Sequence, residues 1–190
     1  MPGGILAFDP SLADFGYAYA EAGGEIAYDS QRLVRVGASD EEIQNALDIF
    51  LDARIEVFRP AWIVREKTYE GPNAKTSGVL RCMGWQIDLR AKDRGIGCRE
   101  AETKAFTKFF TGQGVFPGKT SSQRSAAKKK AMVARCHLLG LKVRNHNQAD
   151  ACGILYYAEV KLFPEMRLSM RRPAGPLFAP LDNNMTGRSL

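Results

Sequence analysis

Two short apolar runs, each closed by an acid, constrain this chain more than any other feature. Gly4-Ile5-Leu6-Ala7-Phe8 ends at Asp9, and Ala61-Trp62-Ile63-Val64-Arg65 ends at Glu66. Runs of this length and composition read as buried strands. An acid at the end of a buried strand is costly unless something pairs with it. Asn147 and Asp150 lie three residues apart, just ahead of an apolar helical stretch. Two strand-end acids and an acid on a helix can converge on one site. Such a site holds divalent cations through oxygen ligands and cuts phosphodiesters by two-metal chemistry.

The spacing of turn and helix signals places these acids in an α/β pattern. Asp9-Pro10-Ser11-Leu12 begins a turn, since proline cannot continue a central strand. Gly16-Tyr17-Ala18-Tyr19-Ala20 alternates small with aromatic residues and suits an antiparallel partner. Gly23-Gly24 marks the next turn, and a third strand is expected near 25–35. Ser39-Asp40-Glu41-Glu42 is a capping box, after which Ile43, Ala46, Leu47, Phe50, Leu51 and Ile55 recur at helical spacing. That helix stops before Pro60 and the strand 61–66 follows at once, a crossover that favours a parallel neighbour. Further helices are expected over 73–93, 103–111, 122–139 and 149–163, with a short strand at 96–99 and a mobile loop at 113–122. Residues 1–164 suit one compact domain with a real core. Residues 165–190, with Arg171-Arg172-Pro173, read as a basic, flexible tail.

The net charge of +6 is unevenly placed. Residues 103–149 contain no acid but ten Lys and Arg, which leaves the rest of the chain net negative. A block of this kind suits a polyanionic partner. No apolar stretch is long enough to span a bilayer, and Met1 leads into the first strand without a secretory signal pattern. Cys82, Cys98, Cys136 and Cys152 lack CxxC pairing and read as free thiols in a reducing, cytoplasmic setting.

Four segments carry a family resemblance. Ile5-Leu6-Ala7-Phe8-Asp9-Pro10-Ser11-Leu12-Ala13-Asp14-Phe15-Gly16-Tyr17 looks like the first motif of RuvC-type Holliday junction resolvases. Ile63-Val64-Arg65-Glu66-Lys67-Thr68-Tyr69 resembles their second motif. Thr103-Lys104-Ala105-Phe106, then Thr111-Gly112-Gln113-Gly114, resembles the segment leading to their basic helix. Asn147-Gln148-Ala149-Asp150-Ala151 resembles their final acidic motif, in a form most like phage and prophage members. The four occur in order over about residues 4–160. The resemblance implies an RNase H-like α/β fold, a mixed five-stranded sheet with helices on both faces. It further implies a homodimer acting on four-way DNA junctions in a bacterial or phage-infected cell. Cleavage would leave 5′-phosphate and 3′-hydroxyl ends.

On this resemblance Asp9, Glu66, Asp150 and Asn147 hold two Mg²⁺ (or Mn²⁺) ions. Asn147 stands where the family usually places an acid or a histidine, and the adjacent His146 could substitute in part. Lys104 and one of Lys128, Lys129 or Lys130 match basic positions facing the cleaved phosphate, with Lys129 expected there. Tyr69 matches an aromatic that stacks on bases, and Lys108, Lys119 and Arg124 extend the DNA-binding surface. Asp14 reads as a solvated turn residue, and Asp150 as a possible helix cap. Other readings stay open: a broader branched-DNA or flap nuclease on the same fold, or a junction-binding protein without activity. An actin-like ATPase would need a second Asp-x-Gly hairpin, which the sequence lacks.

Overall fold

A computed structural model describes residues 3–21, 24–68 and 74–164. Tyr69 and the tail 165–190 lie outside the described residues. Strands β1 (Ile5–Asp9), β2 (Phe15–Ala20) and β3 (Ala27–Gln31) form an antiparallel meander. Helix α1 (Asp40–Phe58) leads to β4 (Trp62–Glu66), and α2 (Ala74–Asp93) leads to β5 (Gly97–Ala101). Both later strands run parallel to β1, giving a mixed five-stranded sheet in the order β3-β2-β1-β4-β5. Helices α3 (Thr103–Thr111), α4 (Ser121–Leu138) and α5 (His146–Tyr157) follow, and a π-helical turn (Ala158–Leu162) extends α5. Among the described residues, no helix is long and apolar enough to cross a membrane.

Side-chain alternation along the strands decides which face each residue serves. In β1, Ile5 and Ala7 enter the core beneath α3–α5, whereas Leu6 and Phe8 enter the core beneath α1 and α2. In β2, Ala18 and Ala20 face α5, while Phe15, Tyr17 and Tyr19 face α1. In β4, Val64 faces the α5 side and Ile63 the opposite side. Carried one step further, the same parity puts Asp9 and Glu66 on the α5 face and Arg65 on the α2 face.

The terminal signals act where the sequence places them, with two shifts. Ser39 and Glu42 form a reciprocal capping box on α1. The helix ends at Arg59, in the left-handed region at φ 45°, immediately before Pro60. Gly112 ends α3 at φ 75°. Strand β3 is shorter than 25–35, because Leu33 and Val34 leave the sheet to pack beneath α1 and α2. Helix α5 starts three residues earlier than 149, because Asn145 is its N-cap and accepts from the Gln148 amide. Asp150 therefore lies inside the helix and does not cap it. The end of the 112–120 connection is pinned by Gln123, whose Oε1 accepts from the amides of Lys119 and Thr120.

Arg65 is buried, and its guanidinium is anchored on the α2 face of the sheet. It donates Nε and Nη2 to Asp88 at 2.8 and 2.6 Å and pairs with Glu100 at 2.7 Å. Gly84 on α2 leaves room for it, since a Cβ there would lie 3.0 Å from Arg65 Nη1. The carboxylates stay partly exposed, so the cost of breaking the network comes mainly from the lost charge-assisted bonds. Arg65→Ala is expected to lower stability by about 1.5–3 kcal/mol in urea unfolding. An unchanged midpoint would mean that the network is not what fixes the end of β4.

Candidate active site

Asp9 and Glu66 end two adjacent parallel strands on the face that α5 covers. Helix α5 is buried from Asn147 through Tyr156, and Asn147 and Asp150, three residues apart, lie on one side of it. Its first turn lies against β2 because residue 16 is glycine. A Cβ at Gly16 would sit 2.3 Å from the Asn147 carbonyl oxygen and 3.3 Å from Asp9 Cβ. Gly16 is also the register partner of Asp9. The small residue that admits the helix is thus the one beside the first acid.

A polar network locks the helix start to the meander. The Asn145 side chain caps α5 and donates Nδ2 to Asp14 Oδ2 and to Ser30 Oγ, both at 2.8 Å. Ser30 Oγ donates in turn to Asp14 Oδ2. Gln148 Nε2 donates to Asp29 at 2.9 Å, and Arg144 forms an ion pair with the same carboxylate. Asp14 is therefore a tie between the β1–β2 turn and α5, not the solvated turn residue its local sequence suggests. The pattern was not legible because its members lie far apart along the chain.

Electrostatics set this cluster apart from the rest of the surface. Burial pushes the Asp9 carboxyl well above the usual carboxylate range, and the charges of Asp150 and Glu66 push it further, against the pull of Lys128. Burial likewise pushes Asp150 up to about 6, with Lys128 opposing and Glu66 adding to the rise. Asp150 Oδ2 lies 3.6 Å from Lys128 Nζ, while Asp150 Oδ1 is buried without a hydrogen-bond partner. Glu66 Oε1 accepts from Thr103 Oγ1 at 2.5 Å. Among the described residues, no three acidic, His or Cys side chains already converge on one ion position. The donor set nevertheless fits a hard divalent cation. It is made of oxygen, carries crowded negative charge and includes a buried acceptor with no partner.

Of the three lysines, Lys128 is the one beside the carboxylates. Lys128, half-buried, stands beside Asp150 with its ammonium 5.5 Å over the Phe106 ring. Lys129, one helical step of about 100° further, is exposed and lines a separate cleft with Lys130 and His146. His146 lies on that side as well. Its imidazole is driven toward the neutral form by burial and by Lys129 and Lys128. Lys104 and Lys108 are exposed on α3, and Lys119 is exposed just before α4. Arg124 is partly engaged by its own turn, donating to the carbonyls of Gly118 and Lys119. Thr103 was missed as a site residue. Its sequence signals are its place at the start of the helix that follows β5 and in the third family-like segment, neither of which points to Glu66.

No protein-family model matches the sequence, and no curated protein is similar to it. Solved structures do match. RuvC from Thermus thermophilus superposes with a TM-score of 0.64 at 15% identity, covering 87% of this chain and 97% of that one. The same protein in complex with a Holliday junction substrate gives 0.61 at 13%, covering 84% and 96%. The yeast mitochondrial Holliday junction resolvase Ydc2 gives 0.53 at 12%, covering 80% and 75%. The chain thus has an α/β fold of the RNase H-like class. Its architecture is similar to that of these RuvC structures.

Two outcomes are expected. Gly16→Ala should displace the start of α5, lowering both the melting temperature and the affinity for Mg²⁺ measured by calorimetry. The second concerns pH. Raised carboxyls favour the folded state when protonated. Their stabilisation is therefore full below about pH 4, the usual carboxylate value, and is lost as pH rises through about 6 for Asp150. In EDTA at neutral pH, Asp150→Asn should melt higher than the unsubstituted chain, and the gap should close in acid. Mg²⁺ should raise the melting temperature of the unsubstituted chain alone. A gap that persists at pH 4 would rule out burial of the Asp150 charge as its cause.

Proposed function

We propose that this chain is a structure-selective endodeoxyribonuclease that resolves four-way DNA junctions by metal-dependent phosphodiester hydrolysis, leaving 5′-phosphate and 3′-hydroxyl ends. The observation that carries this reading is the crowding of Asp9, Glu66 and Asp150 at the ends of β1 and β4 and on α5, with Asp150 Oδ1 unpartnered and Lys128 alongside. Buried carboxyls whose titration is shifted by burial and by one another's charge mark a candidate functional centre. The fold shared with junction-cutting proteins supports it, as does the acid-free block 103–149, whose charge suits a polyanion.

Asp9, Glu66, Asp150 and the amide oxygen of Asn147 would hold two Mg²⁺ or Mn²⁺ ions. When bound, these supply activation of the attacking water and charge stabilisation at the leaving 3′ oxygen. The residues themselves do the positioning. Thr103 orients Glu66 through its hydroxyl. Lys128 offsets negative charge beside Asp150 and stands ready to hold a non-bridging phosphate oxygen. Asn147 brings an oxygen without a charge, so the site carries one negative charge fewer than an all-acid set. Lys104 and Lys108 extend the cationic surface along α3.

Paired cuts on opposed strands call for two related sites, so the functional unit is a homodimer. Trp85 and Leu89 leave apolar surface exposed on α2, and Ile49 and Val57 do so on α1. These faces are the candidate contact between copies.

The test is cleavage of a synthetic mobile four-way junction in Mg²⁺ with linear duplex as competitor. Symmetric paired nicks are expected, and Asp9→Asn or EDTA should reduce them to background. Lys128→Ala should slow cleavage on the order of 10²-fold, the usual effect of removing one electrostatic stabiliser. Equal cutting of flaps and junctions would replace this reading with a general debranching nuclease. Tight junction binding without nicks would mark a binding protein whose Asn147 has weakened the metal site.

A further inference from the structure

The cleft beside Lys129 is distinct from the carboxylate cluster. Lys129, Lys130, Val133, Ala134 and His137 of α4 line it with His146, the first residue of α5, as a shallow open depression of about 440 Å³. No acid lines it, and neither Lys129 nor Lys130 has an ion-pair partner among the described residues. His137 turns Nε2 to the Val143 carbonyl at 3.2 Å and closes one end. Val133 and Ala134 add uncharged lining. Asp150 acts on Lys129 and Asp14 on His146 from outside the lining. Lys129 and Lys130 still repel each other, and an anion laid along the cleft removes that repulsion.

Helical geometry ties this cleft to the candidate active site. Lys128 points to Asp150, and the next residue opens the cleft. From Lys130 to His137 the helix rises about 10 Å. At about 3.4 Å of axial rise per nucleotide of one strand, that length matches roughly three backbone phosphates.

We propose that this cleft is a second phosphate subsite, in which Lys129, Lys130 and His146 hold backbone phosphates of the DNA strand whose scissile phosphate lies at Lys128. His146 then serves DNA and not the metal. The inference rests on the nuclease reading given above.

The experiment measures binding of the full chain to a synthetic four-way junction in EDTA, by fluorescence anisotropy across a salt series. Lys129→Ala and His146→Ala are each expected to reduce the slope of log affinity against log salt by about one. The Mg²⁺ concentration that half-activates cleavage should stay unchanged in His146→Ala. Neutral methylphosphonate linkages adjacent to the cut should weaken binding of the unsubstituted chain and have less effect on Lys129→Ala. Lys129 is exposed, so its substitution tests the cleft even where His146→Ala lowers stability. Unchanged salt slopes in a chain that still nicks junctions would overturn the cleft alone. A raised Mg²⁺ requirement in His146→Ala would return His146 to the metal site and overturn its assignment here. A chain that neither binds nor nicks junctions would overturn the nuclease reading and the cleft with it.

Discussion

The close approach of α5 to β2 at Gly16 is the contact on which the rest of the site depends. Asn147 and Asp150 have no route to the sheet-end acids unless the helix backbone lies almost on the strand. Any side chain at residue 16 would occupy the space taken by the Asn147 carbonyl. The same closeness buries Asp9 and Asp150 and sets up the charge crowding at the site. Packing density and electrostatic strain therefore have one origin, and relieving either by moving the helix would disperse the cluster.

That strain is balanced by contacts on the rim of the site and on the far face of the sheet. Asn145, Asp14 and Ser30 hold the helix start, and Asp29 holds Gln148 and Arg144. Arg65, one residue from Glu66, is committed to Asp88 and Glu100 on the α2 face. Lys67 is paired with Glu102. Both cations flanking Glu66 in sequence are thus engaged elsewhere, and Lys128 of α4 pairs with the Asp150 carboxylate. A site built this way retains negative charge for an incoming cation and keeps neighbouring cations from neutralising it.

Helix α4 divides its basic residues by rotation. Lys128 faces inward over Phe106, whereas Lys129 and Lys130 face the His146 cleft. A run of three lysines therefore serves two surfaces, which a count of charges along the chain does not reveal.

Several features were legible from sequence alone because their causes are local. The apolar runs of β1 and β4 marked Asp9 and Glu66 as strand-end acids able to converge. The Ser39–Glu42 box, Pro60 and Gly112 marked the helix ends. The order of motifs pointed to the mixed five-stranded sheet that the structure has. Tertiary structure alone decided that Lys128 stands at the carboxylates, that Thr103 binds Glu66, that Asp14 anchors α5, and that His146 turns to the cleft. The reason is that α5 is buried nearly all round, so its sequence has no polar stripe to reveal which side meets the sheet. Its roll is set instead by Gly16 and by bonds such as Asn145–Asp14, between residues that meet only once the sheet is assembled.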